Sequence, residues 1–193
     1  DCKAKAIITS SEKVSEIIKL KEKGEIDLII SFNNTVSGSI SFNELIEKKI
    51  SPIEMLNISQ DTLSTIAYTS GTTGYPKGAM QSHKAVILNG SMTSQMHMRN
   101  INDIVVSALP CPHVYGNVVM TGMMMFGTKL VLHKLFDASA IFHDIEKHKA
   151  TIFDGVPTMF MYMVDHPDFK NANLTGANFI KANLEGANLR ISN

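Results

Sequence analysis

The chain has 193 residues, 44% of them hydrophobic and 19% charged, a balance that predicts a buried core and excludes a disordered chain. Its 18 basic and 18 acidic residues cancel, so charge favours neither nucleic acid nor a membrane surface as the main partner. No apolar run reaches the length of a membrane-spanning helix, and no charged-then-apolar signal pattern opens the chain. Cys2 and Cys111 form neither a metal-binding nor a disulfide pattern, which favours a reducing, cytoplasmic setting.

Strands and helices are predicted to alternate along the first 170 residues. Short apolar runs predict strands at 5–9, 27–32, 63–68, 104–109, 129–133 and 151–154. Helical spacing of apolar residues predicts helices at 12–23, 42–49, 82–98, 114–126, 138–149 and 157–166. Pro157 suits the first turn of the last helix. This alternation predicts an α/β fold, with a partial, mostly parallel sheet flanked by helices.

A repeat with a period of five begins after Asn171 and reads ANLTG, ANFIK, ANLEG, ANLRI. Repeats of this kind stack and bury a shared core only with their neighbours. The residues expected to point inward are Leu174, Phe179, Leu184 and Leu189. The segment resembles a pentapeptide repeat, which forms a right-handed four-sided β-helix. We therefore predict an α/β domain at 1–170 and a β-helix-like tail at 171–193, docked on that domain or loosely ordered.

A stretch rich in glycine and hydroxyl side chains, YTSGTTGYPKGAM, runs from Tyr68 to Met80. Its glycines let main-chain N–H groups approach an oxyanion, and its hydroxyls add donors. Lys77 supplies a compact positive charge, and Pro76 restricts the turn before it. We expect the stretch to follow a strand and precede a helix, a position that suits a phosphate. The spacing is neither a Walker A loop nor G-x-G-x-x-G. A mobile linker is the alternative interpretation, but the order of these features favours phosphate binding.

The same stretch resembles the phosphate loop of the adenylate-forming superfamily, which includes acyl-CoA synthetases, luciferases and nonribosomal peptide adenylation domains. The segments LPCPHVYGNVV, from Leu109 to Val119, and TIFDGVPTMFMYM, from Thr151 to Met163, also resemble family motifs. The resemblance covers about residues 3–170. It implies that the loop holds the β- and γ-phosphates of ATP while a carboxylate attacks the α-phosphate. The implied ATP-binding residues are Thr69, Ser70, Gly71, Thr72, Thr73, Gly74 and Lys77.

The resemblance also implies the rest of the chemistry. Mg²⁺ accompanies ATP, the products are pyrophosphate and an acyl-adenylate, and CoA is the co-substrate that forms a thioester. No catalytic and no metal-ligating residue of this chain is implied. The expected partners are therefore a carboxylic acid, ATP and CoA.

The resemblance places the acid beside a helix that opens near His113. His113 would line or gate the position of the carboxylate, with Tyr115 and Gly116 shaping the wall. A histidine after a proline can also simply pack or cap a helix. The predicted helix carries four methionines, Met120, Met123, Met124 and Met125. They fit either core packing or a flexible wall for a fatty acyl chain, and the two interpretations are compatible. A medium or long fatty acid is favoured over an amino acid, because the nearest aspartates in sequence, Asp103 and Asp137, lie outside the motif.

Further family motifs, which bind adenine and ribose and bring a lysine to the α-phosphate, are not found in the 193 residues. We therefore expect a slice of an adenylating N-terminal domain that is inactive alone. One alternative is a degenerate ligase that acts as an interaction or scaffold module through residues 172–191. Another is a simple nucleotide-binding module. The text from Asn183 to Asn193 also resembles a family segment that follows His-Pro-Asp-Phe, so the five-residue repeat can equally be a local expansion.

Overall fold

The computed structural model describes residues 2–48, 52, 54–69 and 75–180. The chain divides into two compact units, Asp1–Asn57 and Ile58–Asn193. Both combine helices with β-strands, so the α/β class predicted from the alternation of elements is confirmed.

The first unit contains a parallel sheet of three strands in the order β1-β2-β3. Its elements are β1 (Ala6–Ser10), a 3-10 turn (Ser11–Lys13), α1 (Val14–Glu22), β2 (Leu28–Phe32), β3 (Ile40–Ser41) and α2 (Phe42–Glu47). Val14, Ile26 and Ile29 form its buried core. Ser41 caps α2 by accepting a hydrogen bond from the Glu44 N–H at 3.3 Å. The two-residue strand β3 was not predicted, because so short a pairing carries no periodic signal.

The second unit begins with an antiparallel hairpin, formed by β4 (Leu63–Thr69) and β5 (Lys77–Ser82). The helix α3 (His83–Met96) follows directly, and Ser82 caps it by accepting from the Ala85 N–H at 3.2 Å. The glycine-rich stretch was expected to run from a strand into a helix. That expectation was wrong for its second half, since Lys77–Ser82 is a strand. The text KGAMQS has no apolar alternation that could have indicated it.

A parallel sheet of four strands, in the order β7-β6-β8-β9, completes the second unit. Its elements are β6 (Ile104–Ser107), α4 (Val114–Phe126), β7 (Lys129–Leu132), α5 (Ala138–His148), β8 (Ile152–Asp154), α6 (Pro157–Asp165), a 3-10 turn (Pro167–Lys170) and β9 (Asn178–Ile180). The two parallel sheets confirm the expectation of mostly parallel pairing, with the β4–β5 hairpin as an antiparallel exception.

Helices cover both faces of this sheet. On one face, Val105 and Ile152 form a buried cluster with Val119 of α4. On the other face, residues from α5 and α6 pack against the alternate strand residues, in a cluster that includes Val106, Ile141, Phe142, Phe153, Phe160 and Met163. The chain leaves β6 and β8 in opposite directions across the sheet, and right-handed crossovers then place α4 and α6 on opposite faces.

The described part of the five-residue repeat belongs to this unit. Ala172, Leu174 and Ala177 pack against the cluster beneath α5 and α6. The strand β9 then pairs in parallel with β8. Residues 181–193 lie outside the described residues, so the β-helix-like tail and its boundary after residue 170 stay predictions.

Candidate functional site

The end of the β4–β5 hairpin carries the described part of the predicted phosphate loop. Thr69 pairs with Lys77 in the antiparallel register, so the two side chains that flank the loop lie opposite each other. Both residues are exposed, and in the described ranges no carboxylate lies within ion-pair distance of the Lys77 ammonium. The remaining predicted ATP-binding residues, Ser70, Gly71, Thr72, Thr73 and Gly74, lie outside the described residues.

Gly78 permits the close pairing at this end of the hairpin. An added Cβ at Gly78 would lie 2.7 Å from Ile66 Cγ2 on the opposite strand. The glycine therefore serves the packing of the hairpin that places Lys77 opposite Thr69.

A groove of about 390 Å³ connects the hairpin with the start of α4. Strand β4 supplies one wall, α3 contributes Val86 and Asn89, and the segment leading into α4 contributes Cys111, Pro112 and Val114. The groove lies between the hairpin and the start of α4, and its lining includes none of the predicted site residues Thr69, Lys77, His113, Tyr115 and Gly116. These two segments are the ones that the sequence analysis assigned to phosphate and acid.

A second feature lies at the carboxyl ends of β6 and β8. Ser107 and Asp154, the last residues of these neighbouring strands, are paired in register. The helices that follow, α4 and α6, pack on opposite faces of the sheet. In open α/β sheets a crevice forms at such a point, and ligands bind there. The predicted acid-binding residues His113, Tyr115 and Gly116 all lie in the connection from β6 into the first turn of α4.

His113 is the N-cap of α4. Its backbone is extended, and its Nδ1 accepts a hydrogen bond from the Tyr115 N–H at 3.3 Å. The capping role that the sequence analysis kept as an alternative is therefore present. Because capping occupies Nδ1, the Nε2 side of this exposed ring is the part that can meet a ligand.

Gly116 is buried where the turn before α4 folds back on the helix. An added Cβ would overlap the Pro110 carbonyl oxygen, so only glycine fits there without a shift of the backbone. The same Pro110 carbonyl accepts from the His113 N–H at 3.0 Å. Gly116 therefore lets the His113 turn lie close against α4, and its role in shaping the wall of an acid site stays a prediction.

A buried ion pair lies behind Tyr115, and the sequence analysis missed it. Arg99 Nη2 donates to Asp154 Oδ1 at 2.8 Å and Oδ2 at 2.6 Å, and the two side chains are 1% and 0% exposed. The Ser107 hydroxyl donates to the Asp154 backbone carbonyl at 2.8 Å. The Tyr115 hydroxyl donates to Asp154 Oδ1 at 3.4 Å. The available sequence signal was a charged residue at the end of an apolar strand, which requires a partner when buried.

The Tyr115 phenol is held in its neutral form. Burial of the ring raises the pKa of Tyr115 far above its ordinary value, and the negative charge of Asp154 raises it further. Arg99 opposes this effect because its positive charge favours the phenolate. The hydroxyl therefore keeps the proton that it donates to Asp154.

The two aspartates that the sequence analysis considered near the site have other roles. Asp103 accepts from the Thr151 hydroxyl at 2.8 Å and from the Asn100 N–H at 2.8 Å. Asp137 caps α5 by accepting from the Ala140 N–H at 2.8 Å. The carboxylate beside Tyr115 is instead Asp154, and Arg99 already neutralises it.

The methionines of α4 divide into two sets. Met120 and Met123 are half-buried, whereas Met124 is 69% exposed and Met125 is 41% exposed. The core interpretation is therefore wrong for Met124 and Met125. Within residues 2–48, 52, 54–69 and 75–180, no group of three or more His, Cys, Asp and Glu side chains could hold a metal ion. In the same ranges no helix is both long and apolar enough to span a membrane.

The chain matches the AMP-binding enzyme family over residues 1–189. It is 30% identical over 182 residues to indoleacetate–CoA ligase of Aromatoleum aromaticum, which covers 93% of this chain and 36% of that protein. It is 31% identical over 193 residues to 4-coumarate–CoA ligase 3 of Arabidopsis thaliana, covering 95% of this chain and 33% of that protein. The chain thus spans about a third of the length of these relatives.

Solved structures share the fold. ATP-bound MatB from Rhodopseudomonas palustris superposes with a TM-score of 0.74 at 24% identity, covering 86% of this chain and 32% of MatB. The N-terminal domain of FACL13 from Mycobacterium tuberculosis superposes with a TM-score of 0.70 at 22% identity, covering 90% of this chain and 49% of that domain. Together with the family match over residues 1–189, these findings show that the chain belongs to the AMP-binding enzyme family.

Proposed function

We propose that the chain supplies the ATP-phosphate site and part of the acid site of an AMP-forming acid–CoA ligase. The observation that carries the proposal is a groove lined by residues of both the β4–β5 hairpin and the start of α4, next to the predicted phosphate and acid residues in sequence. Relatives that are ligases of indoleacetate and 4-coumarate with CoA support the reaction class. Because the chain spans about a third of those proteins, the whole reaction is a proposal about the ligase to which this part belongs.

The hairpin end is proposed to bind the β- and γ-phosphates of ATP. The Lys77 ammonium would oppose phosphate charge, and exposed Thr69 would donate its hydroxyl from the facing strand. The remaining donors in the proposal are the hydroxyls and main-chain N–H groups of Ser70, Gly71, Thr72, Thr73 and Gly74. Mg²⁺ would arrive with the nucleotide, since the described residues offer no cluster to hold it.

The acid is proposed to enter the crevice beside His113, Tyr115 and Gly116. A carboxylate oxygen of the acid attacks the α-phosphorus of ATP, and the bond from that phosphorus to pyrophosphate breaks. The thiolate of CoA then attacks the acyl carbon of the adenylate, which forms the thioester and releases AMP. The contribution of this chain is to orient the acid and to bind the departing phosphates, because preorganised donors and cations stabilise developing charge.

The proposed acid is a medium or long fatty acid. The half-buried methionines Met120 and Met123 supply adaptable apolar side chains on the helix that follows His113. Asp154 is paired with Arg99, so it offers no unpaired carboxylate to the ammonium group of an amino acid. One relative, 32% identical over 128 residues, is a long-chain-fatty-acid–CoA ligase of Bacillus subtilis. The aromatic-acid relatives make arylacetic and cinnamic acids the comparison in any assay.

The test is calorimetric titration of the 193-residue chain with ATP, alone and after Lys77→Ala. We expect weak binding that falls by about tenfold or more in the variant, the effect of losing one charged donor. Lys129→Ala is the matched control, because it also removes an exposed lysine, at the start of β7. Unchanged ATP affinity in Lys77→Ala would contradict the phosphate site.

We further propose that these 193 residues bind ATP but do not complete adenylation. Exchange of labelled pyrophosphate into ATP, with a panel of acids, should stay at the level of the Lys77→Ala variant. Exchange well above that level would overturn this part of the proposal. Capture of a protein partner that requires residues 172–191 and ignores Lys77 would instead favour the scaffold interpretation.

A further inference from the structure

Burying the ion pair between Arg99 and Asp154 costs desolvation free energy, which core packing alone does not require. Both side chains are withdrawn from water, and Arg99 Nε has no hydrogen-bond partner among the described residues. Apolar side chains of similar volume often replace such a pair with no loss of stability. The pair therefore calls for an explanation beyond packing.

The position of the pair links it to the crevice. Asp154 ends β8, next to Ser107 at the end of β6, where α4 and α6 diverge to opposite faces. Arg99 follows the end of α3, so the pair joins the α3 side of the unit to the carboxyl end of the sheet.

Tyr115 is the described side chain that connects the pair with the crevice. Its ring packs against the cluster formed by Val105, Leu109, Val119 and Ile152, and its hydroxyl reaches Asp154 Oδ1. Tyr115 as a whole is only half-buried, and it lies in the first turn of α4 beside His113. A ring fixed at its hydroxyl end cannot swing aside to enlarge the crevice.

The charge balance supports this role. Arg99 donates to both carboxylate oxygens of Asp154, so the two buried charges compensate each other. The Tyr115 hydroxyl donates to Asp154 Oδ1 at 3.4 Å, which is long for a hydrogen bond to a carboxylate, so packing of the ring shares in holding the side chain.

We propose that Arg99 and Asp154 are positioning residues that anchor the Tyr115 ring as the wall limiting how large an acid the crevice accepts. The inference rests on the proposed function, because it concerns the acid site of that ligase. It predicts that loss of the Arg99–Asp154 pair and loss of the Tyr115 hydroxyl each raise the affinity for longer acids relative to shorter ones, by a similar factor.

The test is a double-mutant cycle on the 193-residue chain. Tyr115→Phe removes the hydroxyl and keeps the ring. Arg99→Met with Asp154→Leu replaces the pair by apolar side chains and avoids an unpaired buried charge. Dissociation constants of straight-chain carboxylic acids of increasing length are measured by ligand-observed NMR in the presence of ATP.

We expect each change to raise the ratio of long-acid to short-acid affinity by about 3–10-fold, the range of one hydrogen bond. Combining all three substitutions should add nothing further, because both routes release the same ring. Additive effects, or an unchanged ratio in either variant, would overturn the proposal.

A spectroscopic measurement separates anchoring from general destabilisation. The chain has no tryptophan and four tyrosines, so tyrosinate absorbance reports phenol ionisation directly. The signal lost in Tyr115→Phe identifies the Tyr115 phenol. The paired variant Arg99→Met with Asp154→Leu should lower the pKa of that phenol, since the Asp154 charge raises it more than the Arg99 charge lowers it. An unchanged Tyr115 titration in this paired variant would contradict the anchor.

The two proposals fail differently. If the chain binds ATP through Lys77 but its ratio of long-acid to short-acid affinity does not depend on the anchor, the phosphate site stands and this inference is wrong. A chain that binds ATP but no carboxylic acid also overturns the inference. A chain that binds neither ATP nor acid overturns both.

Discussion

The hairpin end and the crevice differ in how the chain builds them. The described hairpin residues Thr69 and Lys77 are exposed, close in sequence and paired directly across two adjacent strands. Behind the expected crevice, Tyr115 instead meets the ion pair of Arg99 and Asp154, whose two members are 55 positions apart and fully buried. Substitutions at the hairpin end should therefore change binding with little effect on folding, whereas substitutions in the crevice should change both.

The largest expected effect is that of Asp154→Ala. Removing the carboxylate leaves the Arg99 guanidinium buried without its partner, which should lower the free energy of unfolding by about 3–5 kcal/mol. Urea unfolding followed by circular dichroism measures the change. The paired change Arg99→Met with Asp154→Leu is the control and should stay within about 1–2 kcal/mol of the wild type. Equal losses in both would show that packing, and not the unpaired charge, determines the cost.

Gly116→Ala should cause the next largest loss in the free energy of unfolding. The added methyl group overlaps the Pro110 carbonyl oxygen, which is backbone and cannot rotate away. We expect a loss of about 1–3 kcal/mol together with weaker acid binding. Gly90→Ala is the comparison on α3, where the new Cβ lies 3.0 Å from the Thr121 methyl group, which can shift. A smaller loss at Gly116 than at Gly90 would contradict the role of the turn.

His113→Ala and His113→Asn together separate a helix-capping role of His113 from a contact with the acid. Loss of the N-cap acceptor should cost about 1 kcal/mol, and His113→Asn should recover that stability because asparagine also caps helices. Acid binding should stay weak in both variants if the imidazole contacts the acid. Full recovery of acid binding in His113→Asn would leave His113 with a capping role alone.

The smallest expected effect is on the pH dependence of stability. Because the pKa of Tyr115 is raised on folding, the native state keeps a proton that the unfolded chain loses above about pH 10. The contribution of the protonated Tyr115 phenol to the free energy of unfolding is therefore complete below that pH and is lost as the pH rises further. The free energy of unfolding should fall more steeply above pH 10 in the wild type than in Tyr115→Phe. Solvent screening of the half-buried ring keeps this difference modest.

Much of the fold was predictable from local patterns. The helix predicted at 114–126 is α4 (Val114–Phe126), with Gly127 in the left-handed conformation after it. The strand predicted at 151–154 is β8 (Ile152–Asp154). In contrast, β5 (Lys77–Ser82) was missed, because its pairing with β4 stabilises a sequence that has no strand pattern of its own.

The sequence by itself determined the alternation of elements and the order of glycines, hydroxyls and lysine in the predicted phosphate loop. These properties depend on residues close together in the chain, where spacing and backbone sterics act directly. Only the tertiary structure decided that Asp154 is the carboxylate behind Tyr115 and that Arg99 neutralises it. The physical reason is that a buried charge is stabilised by whichever partner the packing of α3, α4 and the sheet brings within reach, and sequence distance carries no information about that contact.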